Sequence, residues 1–333
     1  MSDSAWGGGL PPHPGMDTPH KVASDIPLLV ITGPTASGKT GIAIQLARRF
    51  GFELVGADSM QVYRGMDIGT DTPRPAELGD VVHHLIDVVN PDEPYDAARF
   101  VRDADTAIAD IHQRGRRALI VGGTGLYLRV LLRGLQPAPP PNPELREELN
   151  ATAKREGWPK LHARLAQMDP EAHERLHPND GVRIVRALEV YLQTGKPLSQ
   201  WQREHGFAEQ RYPHLVVGIQ RPSAQLNARI NQRVDEMYAE GLVAEVSRLL
   251  EKGYDSTLKP MQALGYKSVN EYLNGQISLE EAVENTKTTT RRFAKRQRTW
   301  FRKESDIVWS PPEVTAVIEA AGEWLNRVNG PDR

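Results

Sequence analysis

Residues Gly33-Pro34-Thr35-Ala36-Ser37-Gly38-Lys39-Thr40 match G-x-x-x-x-G-K-[ST], and their surroundings restrict the chain more than any other segment. Leu28-Leu29-Val30-Ile31-Thr32 leads in as a short apolar strand rich in β-branched residues. A helical pattern leads out, with Ile42, Leu46 and Phe50 on one face and Gly51 as its stop. A strand–loop–helix of this kind wraps backbone N–H groups around an anion at a helix N-terminus, where partial positive charge favours phosphate. Lys39 adds a full charge, and the Thr40 hydroxyl is a ligand for Mg²⁺. The segment Gly33–Thr40 therefore reads as a polyphosphate cradle, without saying which polyphosphate it holds.

The same alternation continues downstream. Glu53 to Ala57 reads as a second strand ending at Asp58-Ser59, Leu85 to Val89 as a third, and Ala118 to Val121 as another, with a helix over Ala98 to Gln113. The expected fold class is α/β, a parallel sheet flanked by helices like that of P-loop nucleoside triphosphatases. After Gly134 the character changes. Pro137, Pro139, Pro140, Pro141 and Pro143 form a stiff linker, and a polar, helical stretch without strands follows. Strand character returns at Leu215 to Ile219. The expected organisation is a flexible tail over 1–25, an α/β core from 26–136 and 213–310, a helical insertion over 137–212, and a C-terminal helix and tail over 311–333. Helices are expected over Ser223 to Glu240, Leu242 to Lys252 and Leu279 to Lys303.

Composition narrows the function classes. The chain has no cysteine, which excludes disulfides, Cys-ligated zinc and thiol catalysis. No apolar run approaches the roughly 20 residues that span a bilayer, and the first residues lack the apolar centre of a signal peptide. A cytoplasmic protein with no membrane partner is expected. Charge is nearly balanced at −2 but unevenly distributed: Lys287, Arg291, Arg292, Lys295, Arg296, Arg298, Arg302 and Lys303 fall together with no acid among them. Such a run is either a solvated helix face or an anion-binding surface, and the interleaved Phe293, Trp300 and Phe301 favour nucleic-acid phosphates.

A nucleoside triphosphatase needs a carboxylate after an apolar strand to hold magnesium. The Ala118 to Val121 strand ends instead in Gly122-Gly123-Thr124-Gly125, and Asp87 makes a poor substitute. This argues against ATP hydrolysis and for a diphosphate that is bound without phosphoryl cleavage. Asp58 should stand at the carboxyl edge of the sheet, beside the cradle. A carboxylate facing diphosphate needs magnesium or a proton to take, or else it is a turn residue. Gly122-Gly123-Thr124 is likewise a tight turn or a close backbone approach to ligand.

With these residues assembled, the chain resembles the bacterial tRNA dimethylallyltransferase (tRNA isopentenyltransferase) family from about Leu28 to Arg302. The resemblance rests on Gly33–Thr40, Asp58-Ser59-Met60-Gln61, Tyr63-Arg64-Gly65-Met66-Asp67-Ile68-Gly69-Thr70 and Val121-Gly122-Gly123-Thr124. It continues in His177-Pro178-Asn179-Asp180, Arg186-Ala187-Leu188-Glu189-Val190, Gly265-Tyr266, and Ala294-Lys295-Arg296-Gln297 with Thr299-Trp300. One departure stands out. The family commonly follows D-I-G-T with A-K-P, whereas this chain has Asp71-Thr72-Pro73, an acid in place of positive charge.

The resemblance implies transfer of a dimethylallyl group from dimethylallyl diphosphate to N6 of the adenosine 3′ of the anticodon in tRNA, without ATP consumption. It implies that Asp58 is the general base, that Lys39, Thr124 and Arg233 complete the catalytic set, and that Gly33–Thr40 with Arg233 holds the diphosphate. It assigns tRNA contacts to Asp58, Ser59, Met60, Gln61, Thr124, Arg146, Val182, Arg183, Ile184, Val185, Arg186, Gln262, Ala263, Leu264, Gly265, Tyr266 and Lys267. The expected cofactor is Mg²⁺ on Thr40. The expected partners are the anticodon stem-loop and the prenyl donor, and the expected species is a monomer. Rival readings are an adenylate isopentenyltransferase acting on free nucleotides, a P-loop small-molecule kinase, and a non-catalytic tRNA-binding module. The helical insertion and the basic C-terminal run favour a macromolecular acceptor, since a mononucleotide needs neither.

Overall fold

Five consecutive residues, Leu28–Thr32, are all buried and form strand β1. A strand covered on both faces needs apolar side chains throughout, and parallel sheets between helix layers impose that demand. The computed structural model describes residues 25–329, so the expected tail over 1–25 lies, but for Asp25, outside the described residues. Among the described residues one parallel sheet runs β3-β2-β4-β1-β5-β6. The other strands are β2 (Phe52–Gly56), β3 (His83–His84), β4 (Arg117–Gly122), β5 (His214–Ile219) and β6 (Ile307–Ser310). β1 sits between β4 and β5, with Val30 opposite both Ile120 and Val216. This is the parallel α/β sheet expected from the alternation in sequence.

Helices cover the sheet because their apolar stripes have nowhere else to go. Helix α1 (Lys39–Phe50) buries Ile42, Ile44 and Leu46 against Leu29 and Ile31. Full burial of one such side chain contributes about 1.5–3 kcal/mol. Three more helices follow in the first part of the chain: α2 (Pro75–Leu78), α3 (Ala97–Gln113) and α4 (Gly125–Arg133). Phe100 of α3 stacks on Tyr127 of α4 with ring centroids 4.3 Å apart.

The described residues divide into two compact units, one of residues 135–208 and one of residues 25–134 with 209–329. The helices of the first are α5 (Pro143–Glu156), α6 (Trp158–Met168), α7 (Pro170–Arg175), α8 (Gly181–Thr194) and α9 (Leu198–His205). Leu149, Leu161, Leu165, Ile184 and Leu188 form its own core. Glu189 is buried in this unit and accepts hydrogen bonds from Arg146 Nε at 2.8 Å, Arg186 at 2.7 Å and the Asn142 amide at 2.7 Å.

Back in the α/β unit, α10 (Ser223–Ala239), α11 (Leu242–Glu251), α12 (Tyr266–Leu273) and α13 (Leu279–Phe301) follow β5. Ser278 and Glu281 open α13 with a reciprocal capping box, each side chain accepting the other's backbone N–H. Leu226 and Ile230 of α10 pack on Ala294 of α13. The last helix, α14 (Val314–Asn329), lays Val317, Ala321, Trp324 and Leu325 on the α1 side of the sheet.

Two strands differ from expectation. The third, expected over Leu85 to Val89, joins the sheet instead at His83–His84, and of the expected span Val89 makes an isolated parallel bridge with Tyr63. Leu85 and Asp87 take left-handed backbone at φ 63° and 52°, which breaks a pleated ladder. Asp87 thus stands in a kinked loop, not at a strand end. Strand β6 was not foreseen. Its four residues are too short for a periodic signal, and the parallel pairing of Val216 with Ile307 identifies it.

Candidate active site

The cradle Gly33–Thr40 leaves β1 and runs straight into α1. Ala36 at φ 61° and Gly38 at φ 95° bend the loop back on itself, the geometry that turns successive amides toward one point. Its outward carbonyls are held from behind. Arg221 Nε donates to the Ser37 carbonyl at 2.9 Å, and Arg229 Nε to the Ala36 carbonyl at 3.0 Å. Gln297 of α13 ties the cradle to the end of β4. Its Oε1 accepts the Thr35 amide and its Nε2 donates to the Gly123 carbonyl, both at 2.8 Å.

The sheet edge beside the cradle is built from backbone contact. A Cβ at Gly122 would stand 2.1 Å from the Ala57 carbonyl oxygen, so only glycine lets β4 pass β2 there. Gly122-Gly123-Thr124 is therefore a close approach of backbone to backbone. It carries Thr124 beside the Asp58 loop: Thr124 Oγ1 accepts the Ser59 amide at 3.0 Å, and the Thr124 amide donates to the Ala57 carbonyl at 3.2 Å. Asp58 Oδ1 accepts the Met60 amide at 2.9 Å, a local turn bond that fixes the carboxylate's orientation. The turn role and a role facing the cavity coexist in this one side chain.

Opposite Asp58 stand two cations. Loss of hydration draws the Lys39 ammonium down to about 8, with Asp58 pulling it back up and Arg233 pushing it further down. The same desolvation brings Arg233 to about 10, against the favourable charges of Asp58 and Glu236. Arg233 reaches in from α10 and donates to Thr35 Oγ1 at 3.2 Å. Crowded, poorly hydrated cations of this kind favour a multiply charged anion between them.

The loop Met66–Thr72 closes another wall. Buried Glu245 of α11 accepts the amides of Asp67, Ile68 and Gly69 at 3.0, 2.8 and 3.2 Å, and the Tyr266 hydroxyl at 2.7 Å. The Tyr266 ring lies against Gly69, where a Cβ would stand 2.4 Å from the ring. Gln61 Nε2 donates to the carbonyls of Thr70 and Asp71 at 3.2 and 2.9 Å. At the end of this loop Asp71 Oδ2 pairs with Arg233 at 2.6 Å.

These elements enclose a cavity of about 340 Å³. Thr35, Ala36, Lys39, Thr40, Asp58, Ser59, Met60, Gln61, Thr124, Arg233 and Gln262, Ala263, Leu264, Gly265 and Tyr266 all line it. Segments separated by most of the chain are thus brought together as the motifs implied. A second cavity of about 620 Å³ shares Ala36, Lys39, Thr40, Asp71 and Arg233 with the first.

Several candidates stand elsewhere. Gly33, Pro34 and Ser37 shape the cradle without lining this cavity, and exposed Lys267 lies beside Glu271 at 3.8 Å. In the helical unit, Ile184 and Val185 are a correction: both side chains belong to that unit's core, since they fall on the inward face of α8. Val182 is 83% exposed there and Arg183 is exposed beside Asp180. Arg146 and Arg186 hold Glu189. Gln297, Glu245 and Asp71 were missed as site-forming residues. The spacing Thr286, Thr290, Phe293, Gln297 along α13 was a legible stripe, and all four line the cavity. Among the described residues no cluster of three or more His, Asp or Glu forms a metal cage, and no helix is long and apolar enough to cross a membrane.

Comparison with known proteins agrees with this architecture. Residues 61–304 match a family model described as IPP transferase, and residues 26–89 match one described as isopentenyl transferase. A tRNA dimethylallyltransferase 2 from Geotalea daltonii is 54% identical over 87% of this chain and 89% of its own length. The tRNA dimethylallyltransferase of Geobacter sulfurreducens is 53% identical over 87% of this chain and 93% of its own. Among solved structures, the full-length tRNA isopentenylpyrophosphate transferase of Bacillus halodurans superposes with a TM-score of 0.68 at 36% identity, covering 92% of this chain and 98% of that one. By extent of match, identity and fold, this chain is a member of the tRNA dimethylallyltransferase family.

Proposed function

We propose that the protein transfers the dimethylallyl group of dimethylallyl diphosphate to N6 of the adenosine 3′-adjacent to the anticodon of tRNA. The observation that carries this reading is a single cavity in which Asp58 faces Lys39, Arg233 and the phosphate cradle. An adenine amine is a weak nucleophile because its lone pair is delocalised into the ring. Asp58 accepts the N6 proton as nitrogen bonds to the allylic carbon. The carbon–oxygen bond breaks, and its electron pair leaves on the diphosphate. Lys39, Arg233 and the cradle amides meet that charge in a poorly hydrated site, where they act most strongly.

Magnesium fits the donor set. The Thr40 hydroxyl is a hard oxygen donor lining the cavity, and a metal that keeps waters and takes phosphate oxygens needs no protein cage. Bound through Thr40, it would neutralise diphosphate charge. The acceptor base leaves its stack to enter the cavity, as a base-modifying enzyme requires. The segment 262–266, Ser59 to Gln61 and Thr124 are proposed to receive it, and exposed Val182 and Arg183 of the helical unit to meet the anticodon stem-loop. The reaction is assigned to a cytoplasmic monomer.

The test is nucleoside analysis of tRNA incubated with purified protein and labelled dimethylallyl diphosphate. One labelled N6-prenylated adenosine per reactive tRNA is expected. Equal labelling of free adenosine monophosphate, or ATP consumption in step with the reaction, would overturn the proposal.

A further inference from the structure

Two independent observations meet at Arg233. First, its three nitrogens are unequally satisfied. One terminal nitrogen donates to Thr35 Oγ1 at 3.2 Å and the other pairs with Asp71 at 2.6 Å, while Nε is buried with no hydrogen-bond partner. A guanidinium set up for bidentate anion recognition thus meets only one carboxylate oxygen. Second, Asp71 is delivered in a closely specified conformation. Its backbone is left-handed at φ 55°, and Gln61 on its carbonyl and Glu245 on the preceding amides fix the loop that carries it. The pair also stands where the two cavities share a wall with Lys39 and Thr40.

We infer that Asp71 is an internal anion that occupies Arg233 until the diphosphate of the donor displaces it. It acts as a positioning residue that sets donor affinity. This rests on the proposed reading of the cradle as a diphosphate site. The charges facing the guanidinium are Lys39 from α1, Asp58 from the β2 edge, Glu236 from α10 and Asp71 itself. Of these carboxylates, Asp71 makes the ion pair, on a side chain 55% exposed that is free to swing into solvent. A diphosphate brings more charge and more acceptor oxygens to the same guanidinium, including its unpartnered Nε. In exchange, the carboxylate regains hydration. The ion pair therefore lowers apparent affinity for donor and keeps Arg233 ordered between turnovers.

The experiment is calorimetric titration of the full chain with inorganic diphosphate and Mg²⁺, alongside donor kinetics. Asp71→Asn tolerates the left-handed backbone and removes only the charge. Diphosphate affinity is expected to rise about two- to fivefold, as for loss of a competing ion pair of modest strength, with KM for donor falling more than kcat changes. In an Arg233→Ala background Asp71→Asn should have no effect on affinity. If the native chain binds diphosphate and Arg233→Ala weakens it, but Asp71→Asn binds no tighter, the inference fails while the diphosphate site stands. If neither the native chain nor Asp71→Asn binds diphosphate, the reading of the cradle fails, and the inference with it.

Discussion

The Thr35 amide donates to Gln297 Oε1 at 2.8 Å, across 262 positions of sequence. One carboxamide thereby fixes the mouth of the phosphate cradle to the last helix of the site. Through its Nε2 it holds the Gly123 carbonyl as well, so a single side chain joins the cradle to the sheet edge.

Gln297→Ala leaves a backbone donor and a buried backbone acceptor unpaired together. Thermal and urea unfolding should show a loss of about 1–3 kcal/mol. KM for donor should rise by roughly tenfold as the cradle loosens, while tRNA affinity measured by filter binding stays within about twofold of the native chain. Gln297→Glu should be worse for the Gly123 carbonyl, because a carboxylate cannot donate to it.

Asp58 has two roles that one substitution separates. An asparagine there still accepts the Met60 amide and keeps the turn, but it cannot take a proton at neutral pH. Asp58→Asn should lower turnover by about 10²–10⁴ and lower the unfolding midpoint only by what the lost charge gave to Lys39 and Arg233. Asp58→Ala should lose both activity and stability. Single-turnover rates and denaturation curves on the two variants decide this, and native-like turnover in Asp58→Asn would remove the proton-accepting role.

Lys39 makes donor binding sensitive to alkali. In the free enzyme its charge is lost as pH rises through about 8, well below the ordinary 10.5. Bound diphosphate favours the charged form, so kcat/KM for donor should fall above about pH 8 while kcat holds to higher pH. The stability sign is opposite. The folded chain carries the cost of a poorly hydrated ammonium in full below pH 8 and sheds it between 8 and 10.5. Lys39→Met should therefore raise the melting temperature at neutral pH and abolish donor binding.

Far from the cavity, Glu53 on β2 accepts hydrogen bonds from Arg114 at 2.8 Å and from His84 at 2.7 Å. The Arg114 hydrogen bond, with help from His84 and against burial, lowers its carboxyl from 4.5 to about 2. The stability it contributes is complete above pH 4.5 and disappears as pH falls toward 2. Glu53→Gln should unfold more easily than the native chain by about 1–3 kcal/mol at neutral pH, and the gap should close in acid. Urea midpoints across that pH range measure it.

Much of this protein is legible before folding. The cradle is contiguous, so its strand, turn and helix are specified by neighbours along the chain, as are the α/β alternation and the all-helical stretch after the proline cluster. Asp58 is legible too, because the end of an apolar strand beside such a cradle faces the ligand edge. What only the tertiary structure decided are the partners that meet across the chain: Gln297 on Thr35, Glu245 under the loop at Asp67 to Gly69, Asp71 on Arg233, and the parallel pairing that makes a strand of Ile307–Ser310. The same holds for Ile184 and Val185, whose place in a helix was readable but whose facing was set by what that helix packs on. Periodicity and turn chemistry act over a few residues, whereas a side chain's hydrogen-bond partner depends on how distant segments are registered in space.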